Sequence, residues 1–437
     1  MTMTGGARWR SGHLQRRIAS LPIVMATLVL TSCSVVERPA SLRLRDEIAR
    51  IRAAGEPLTF EELRAGQAAR EGADAASDYR AASALLVDFD NGPIFDLLKA
   101  YRASIKSCPR VPPSTEVRER ARLILAQARP ALELIDRAAR KEACHYAFNL
   151  ETGEFPPFWR FRSAGYLLSL RTLEFAVAGA GDGAAASLIS KLRMLRVFET
   201  EPVLIAYMIR LAEWDSAGAD LRAVLGPGTP SETSLGDLDE ALKLAEAPDL
   251  LKRTIEGERV WEMNQLAAIL GPDWPDGELK SASARRAPFW RRPRLLRETS
   301  DYLAATAAVI HAASEPWPHV FDAMYAACPS PKTYPVALAW SLPMERAGQA
   351  LAATRAGRVA IALERYRRRQ GKLPASLTDL ASPLPTDPFS GHDLLYRRAE
   401  DSFVVASVGP ARTTDVHAVD EKGRPQGISV CFARPGR

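Results

Sequence analysis

From about residue 41 to residue 371 the chain keeps to residues that favour helices. Ala, Leu, Arg and Glu dominate, and runs rich in Val, Ile and Thr are missing. Helices that must hide apolar stripes do so against other helices, so a mainly α body is expected. Pro and Gly gather at the breaks: Cys108–Pro113, Phe155–Pro157, Gly226–Pro230, Gly271–Gly277 and Pro288–Pro293.

Local signals fix some helix ends. In Leu58-Thr59-Phe60-Glu61-Glu62-Leu63, Thr59 is placed to cap the first amides and Glu62 to reach back to its backbone N–H, with Leu58 and Leu63 at staple positions. Residues 163–199 read as two antiparallel helices. Leu167, Leu170, Leu173 and Val177 line one stripe, Leu188, Leu192 and Leu195 line the other, and Gly179–Gly183 make the turn. The pair is about the size of one tetratricopeptide unit, but no second copy is in register. An array of stacked helix pairs therefore rests on the pairs alone.

Near residue 344 the character changes. A long helix is expected from about Arg346 to Gln370, with Ala352, Ala356, Val359, Leu363 and Tyr366 near one face and Gly371 as its stop. Beyond Pro374 come short segments of β character at Leu394–Tyr396, Ser402–Val408 and Ile428–Phe432. The expected architecture is a multi-helical body over 41–343 followed by a small α+β module over 344–437.

The N-terminus carries an address. The first 32 residues hold four arginines and no acid, then an apolar run from Leu21 to Leu30, ending in Leu30-Thr31-Ser32-Cys33. The run is shorter than the roughly 20 residues that a spanning helix needs. Its ending resembles the lipobox of bacterial lipoproteins. By that resemblance residues 1–32 are a signal peptide, Cys33 takes a lipid, and 33–40 form a lipidated linker. The expected location is outside the cytoplasm, lipid-anchored, facing the periplasm or cell surface.

Removing 1–32 leaves 54 basic residues against 52 acidic ones, so global charge makes no case for nucleic acid. One local exception, Ala284–Arg294, interleaves arginines with Phe289 and Trp290. It reads as a Pro-rich connection whose arginines pair with acids on neighbouring helices rather than as a phosphate site. Besides Cys33, four cysteines remain: Cys108, Cys144, Cys328 and Cys431. In an exported chain they permit two disulfides in three connectivities. None forms a Cys-x-x-Cys pair, and Cys144-His145 are adjacent, which points their side chains about 100° apart on a helix. A zinc site is not expected.

Residues 361–409 carry a further resemblance. A helix ends at Gly371-Lys372-Leu373-Pro374. Asp387-Pro388-Phe389-Ser390-Gly391 follows, then Leu395-Tyr396-Arg397 and Phe403–Gly409. This order is similar to the C-terminal half of the major pseudopilin of type II secretion. The resemblance implies a long helix packed on a small sheet, with Pro388 and Gly391 shaping the loop between. The chain lacks that family's prepilin peptidase site and apolar assembly helix. Where the family has an acidic calcium loop, Pro410-Ala411-Arg412 stands instead. Asp415, Asp420 and Glu421 lie farther on as oxygen donors, but an arginine inside the loop opposes a cation, so no metal or other cofactor is expected. The helical body also resembles large uncharacterised helical proteins of planctomycete-type bacteria, through the opening at Gly55–Leu63. That resemblance implies no activity.

Chemical motifs are missing: no Gly-x-Ser-x-Gly elbow, His-Glu-x-x-His, Walker loop or dinucleotide fingerprint. Gly226–Pro230 lacks a following Lys, and its prolines remove amide donors. Glu258 and Glu262 lie four apart on a helix but among cations, as on a solvated face. His311 and His319 read as packed or surface histidines. Trp159, Trp261, Trp274, Trp290, Trp317 and Trp340 read as core rather than as a ligand groove. Two functions are expected. The preferred one is a non-catalytic binding or scaffolding lipoprotein, touching membrane lipid through Cys33 and a protein or cell-wall partner through its helices. The alternative is a periplasmic hydrolase with an unmarked site, which a concave pocket with convergent Glu, His and Arg would favour.

Overall fold

A computed structural model of the chain describes residues 39–65, 72–87, 89, 91–106, 112–150, 157–226, 230–271, 274, 288–327, 335–380, 383–399, 402–413 and 428–432. Cys33, Cys108, Cys328, Asp415, Asp420 and Glu421 lie outside them. Of Cys431 only the backbone is described. The chain divides into two compact units, one of residues 1–56 and 262–304, the other of 57–261 and 305–437.

The first unit contains helix α1 (39–53) and stretches of two helices shared along the chain, α11 (Leu250–Leu270) and α12 (Arg292–Ala313). Leu44, Ile48 and Ile51 of α1 are buried, as are Met263, Leu270, Leu296 and Leu303. Arg43 pairs with Asp301 at 2.7 Å on the surface. Of the arginine-rich segment, Arg294 pairs with Glu298 one turn along its own helix rather than with a neighbouring element.

The second unit holds the rest. It begins with α2 (Phe60–Ala65), whose cap forms as the sequence predicts. Glu62 N donates to Thr59 Oγ1 at 3.1 Å, while Glu62 Oε2 accepts from the amides of Leu58 and Thr59. Then follow α3 (Ala76–Leu85), α4 (Asn91–Lys106), α5 (Thr115–Gln127) and α6 (Arg129–Ala139). At the centre stands α7 (Phe158–Val177), packed against α8 (Gly181–Met194) and α9 (Leu204–Leu225) and touched by α3, α4, α5 and α6. Thirteen of its 20 residues are buried, which is how a helix looks when neighbours surround it. The α7–α8 pair forms as expected, but the turn is shorter than expected: Gly181–Gly183 already open α8, and Gly179 sits at φ +74°, where a side chain would be strained. Leu167, Leu170, Leu173 and Leu188 are fully enclosed.

Next come α10 (Glu232–Ala245), α13 (His319–Ala327) and α14 (Pro335–Gln370), then an antiparallel sheet in the order β1 (Leu395–Ala399), β2 (Ser402–Ser407), β3 (Ile428–Phe432). The long helix starts about eleven residues before the expected Arg346, and carries Pro343 inside it. It packs against α9 and α10 as well as β2 and β3, so it belongs to the helical core as much as to the sheet. Two glycines allow this. A Cβ at Gly357 would collide with Leu221, and one at Gly348 with Phe321. Val359 and Leu363 are buried with Phe403 and Val405 as expected, while Tyr366 is half-exposed. Gly371 stops the helix at φ +68°. The protein is mainly α-helical with a small C-terminal sheet.

Candidate functional site

The chemistry-bearing groups of the second unit gather around α7. Although its surroundings are apolar, α7 carries Ser163, Ser169, Thr172 and Glu174 in buried positions, and each needs a partner. Ser163 and Thr172 donate to carbonyls one turn back, from Trp159 and Leu168. Ser169 and Glu174 instead reach neighbouring helices.

Ser169 belongs to a closed charge cluster on α7, α8 and α9. Lys191, fully buried, donates from Nζ to Ser169 Oγ (2.7 Å), to Asp220 Oδ2 (3.1 Å) and to Ser216 Oγ. Ser169 Oγ in turn donates to Asp220 Oδ2 at 2.6 Å. Glu213, one helical turn or two before these acceptors, places Oε2 3.5 Å from the same amine, and that oxygen accepts no hydrogen bond. Burial pushes the Glu213 carboxyl above its ordinary value, and the neighbouring Lys191 and Arg162 charges only partly oppose this. The α7 backbone comes close here, since a Cβ at Gly165 would overlap the Glu213 carboxylate. From α4, Arg102 adds a long contact, Nη2 to Asp220 Oδ1 at 3.4 Å, while its Nε is enclosed without a hydrogen-bond partner.

Glu174 is the acceptor of a second cluster. It takes hydrogen bonds from Tyr101 Oη (2.6 Å), Arg118 (Nε 3.2 Å, Nη2 3.0 Å) and Arg122 Nε (2.8 Å). Burial works to raise its pKa, but the donors from Arg118, Tyr101 and Arg122 outweigh burial and hold the carboxyl below the ordinary range. Beside it a cleft of about 490 Å³ opens between α5, α6 and α7, floored by Leu125, Leu132 and Phe175. Its arginines are all matched: Arg122 by Glu174, Arg129 by Glu133, and Arg171 by both oxygens of Asp136. A second hollow of about 350 Å³ lies along α4, lined by Phe95, Leu98, Lys99, Arg102 and Ala103.

The residues singled out from the sequence fall elsewhere. Cys144 is a buried free thiol, pushed up to about 12 by burial, and the side chains of the other cysteines lie outside the described residues. Glu258 accepts from Leu204 N at 2.8 Å, capping the start of α9 rather than acting in a carboxylate pair. His311 and His319 are exposed. Trp340 and Trp274 are buried, but Trp159 and Trp290 stand more than half exposed, so the expectation of a core role holds for only part of the set. No group of three potential metal ligands occurs among the described residues. In the C-terminal loop Arg412 pairs with Asp322 of α13 through both carboxylate oxygens.

Sequence reasoning missed Lys191, Glu213, Asp220 and Glu174. A trace was present: charges inside otherwise apolar stripes of α7, α8 and α9. It placed Asp387 in the loop motif but gave its side chain no role. Enclosed in the loop after α14, this carboxylate accepts from Phe389 N, Ser407 Oγ and Val408 N, tying the loop to the end of β2. Comparison with protein-family models, curated proteins and solved structures returns no match.

Proposed function

We propose that this chain is an exported lipoprotein, held to a membrane by a lipid on Cys33, whose helical body binds a protein or cell-wall partner without catalysis. The observation that carries the non-catalytic reading is the state of its buried charges. A general base must be reachable and must titrate near the working pH. Lys191 is fully enclosed, and its amine is occupied by Ser169, Ser216 and Asp220. Glu174, at the edge of the larger cleft, is held ionised by two arginines and a tyrosine, which makes it a poor proton acceptor. Among the described residues that cleft has Glu and Arg but no His in its lining.

The hydrolase reading draws on Glu213, whose raised pKa is of the kind found in active sites. Its side chain is almost wholly buried, so a substrate has no path to it without opening the α7–α9 packing. The binding reading is favoured for that reason. The anchor rests on the signal-like N-terminus and the Leu-Thr-Ser-Cys ending. In addition, among the described residues no helix is long and apolar enough to cross a membrane. We read α14 and its sheet as a pseudopilin-like unit used for structure or docking. The Gly371 stop, the Asp387 loop and the antiparallel strands support this.

The test is membrane fractionation with intact mass measurement. Wild type is expected in the membrane fraction, with an acyl addition on an N-terminal Cys33. Cys33→Ser should leave the chain soluble or unprocessed. A wild-type mass without acyl addition would sink the anchor.

A further inference from the structure

We infer that the hollow along α4 is a binding site for a small amphipathic anion, a carboxylate or phosphate carried on an apolar body. Phe95, Leu98, Lys99, Arg102 and Ala103 recur at helical spacing, so they form one face of α4. That face is not closed by packing. Leu98 is buried and makes the floor, but Phe95 is 55 % exposed. The Phe95 ring meets Tyr166 of α7 at 6.4 Å between centroids, and the Arg162 guanidinium lies 5.6 Å from the Tyr166 ring centre. Phe95 therefore gives the hollow an aromatic side, and Lys99 and Arg102 give it a cationic one. Its volume of about 350 Å³ is that of a small-molecule site.

Charge identifies the ligand's sign. The arginines of the other cleft each have an acidic partner, whereas here the cations are in excess. Lys99 is exposed and has no acidic partner among the described residues. Arg102 faces Asp220, but that carboxylate already receives Lys191 and Ser169 at shorter range. The 3.4 Å contact is long and the Arg102 side chain is 31 % exposed, so its guanidinium can offer a donor to the hollow even though its Nε is enclosed. A positive, partly desolvated hollow with an aromatic wall suits an anionic head beside an apolar body.

This inference rests on the binding reading but not on the lipid anchor, so a chain without an acyl group at Cys33 can still pass its test. Calorimetric titration of the mature chain would use 2-naphthyl phosphate, 2-naphthoate, neutral 2-naphthylmethanol and inorganic phosphate. At least one naphthyl anion is expected to bind at submillimolar concentration, and the stronger of the two separates a phosphate from a carboxylate ligand. The neutral alcohol and inorganic phosphate should each bind at least about tenfold more weakly, since each lacks one half of the recognition. Lys99→Ala should weaken the anion about tenfold while leaving the melting temperature unchanged, because Lys99 is exposed. Phe95→Ala should weaken anion and alcohol alike. Equal binding of anion and alcohol, an unaltered affinity in Lys99→Ala, or no heat with either anion at millimolar concentration would each overturn the assignment.

Discussion

Two buried glutamates within one helical bundle are pushed in opposite directions by what surrounds them. Glu174 has three donors and a depressed pKa; Glu213 has one distant amine and a raised pKa. The signs of their pH effects follow from linkage. The stability Glu174 contributes is present above its ordinary value of 4.5 and is lost as pH falls through its lower folded value. For Glu213, stability is greatest below 4.5 and is lost as pH rises through its higher folded value. Glu174→Gln should therefore destabilise the protein by about 1–3 kcal/mol at pH 7, discounted for the exposure of Arg122. Glu213→Gln should raise stability at pH 7, and the gain should vanish below pH 4.5. Urea unfolding of both variants between pH 4 and 8 would check this; a destabilised Glu213→Gln at pH 7 would mean that the carboxylate is needed in its ionised form. Beforehand the sequence held only a trace, a charge inside an apolar stripe, and not the direction of either shift. A lone Glu on a helix reads the same whether three donors converge on it or none, since the donors come from α4 and α5.

At the scale of elements, local signals were read well and long-range ones were not. The α2 cap and the Gly371 stop depend on contacts within a few residues, and each formed where expected, while of the expected Gly179–Gly183 turn only the first two residues lie outside α8. The start of α14 did not: the helix begins at Pro335 and runs through Pro343, and its early turns bury Trp340 and Met344, contacts that local signals do not record. Sheet register was likewise open to sequence only as alternation. The structure pairs Tyr396 with Val405 and Val405 with Val430. Leu363, fully buried on α14, should cost about 2–5 kcal/mol when changed to Ala, as for other enclosed leucines. Calcium should leave the melting temperature unchanged, because Arg412 occupies the position after β2 where a calcium site would need oxygens. An upward shift in millimolar calcium, abolished by Asp415→Ala or Asp420→Ala, would overturn that expectation.

For the whole molecule the balance of charge is informative. Fifty-four basic residues against 52 acidic ones from Cys33 onward leave little field to attract a polyanion. Many of the basic groups are paired, as in the Arg355, Arg358, Glu246 and Asp239 cluster that joins α14 to α10. The mature chain should show no shift of duplex DNA at about 0.15 M salt. Retention on DNA at that ionic strength would mean that an arginine-rich segment such as Ala284–Arg294 acts as an independent patch.

By itself the sequence determined the helical character of the chain, most of its punctuation and an expected lipid anchor. These are carried by propensity, by Gly and Pro, and by short motifs read without reference to distant residues. Only the tertiary structure decided which charges are enclosed, which titrate unusually and which cations stay open to a ligand. Lys191 meets Asp220 across 29 positions and Arg102 meets it across 118. Packing of α4, α7, α8 and α9 brings those groups together, and one-dimensional periodicity records that a helix has a buried face without recording which side chain waits on the helix opposite.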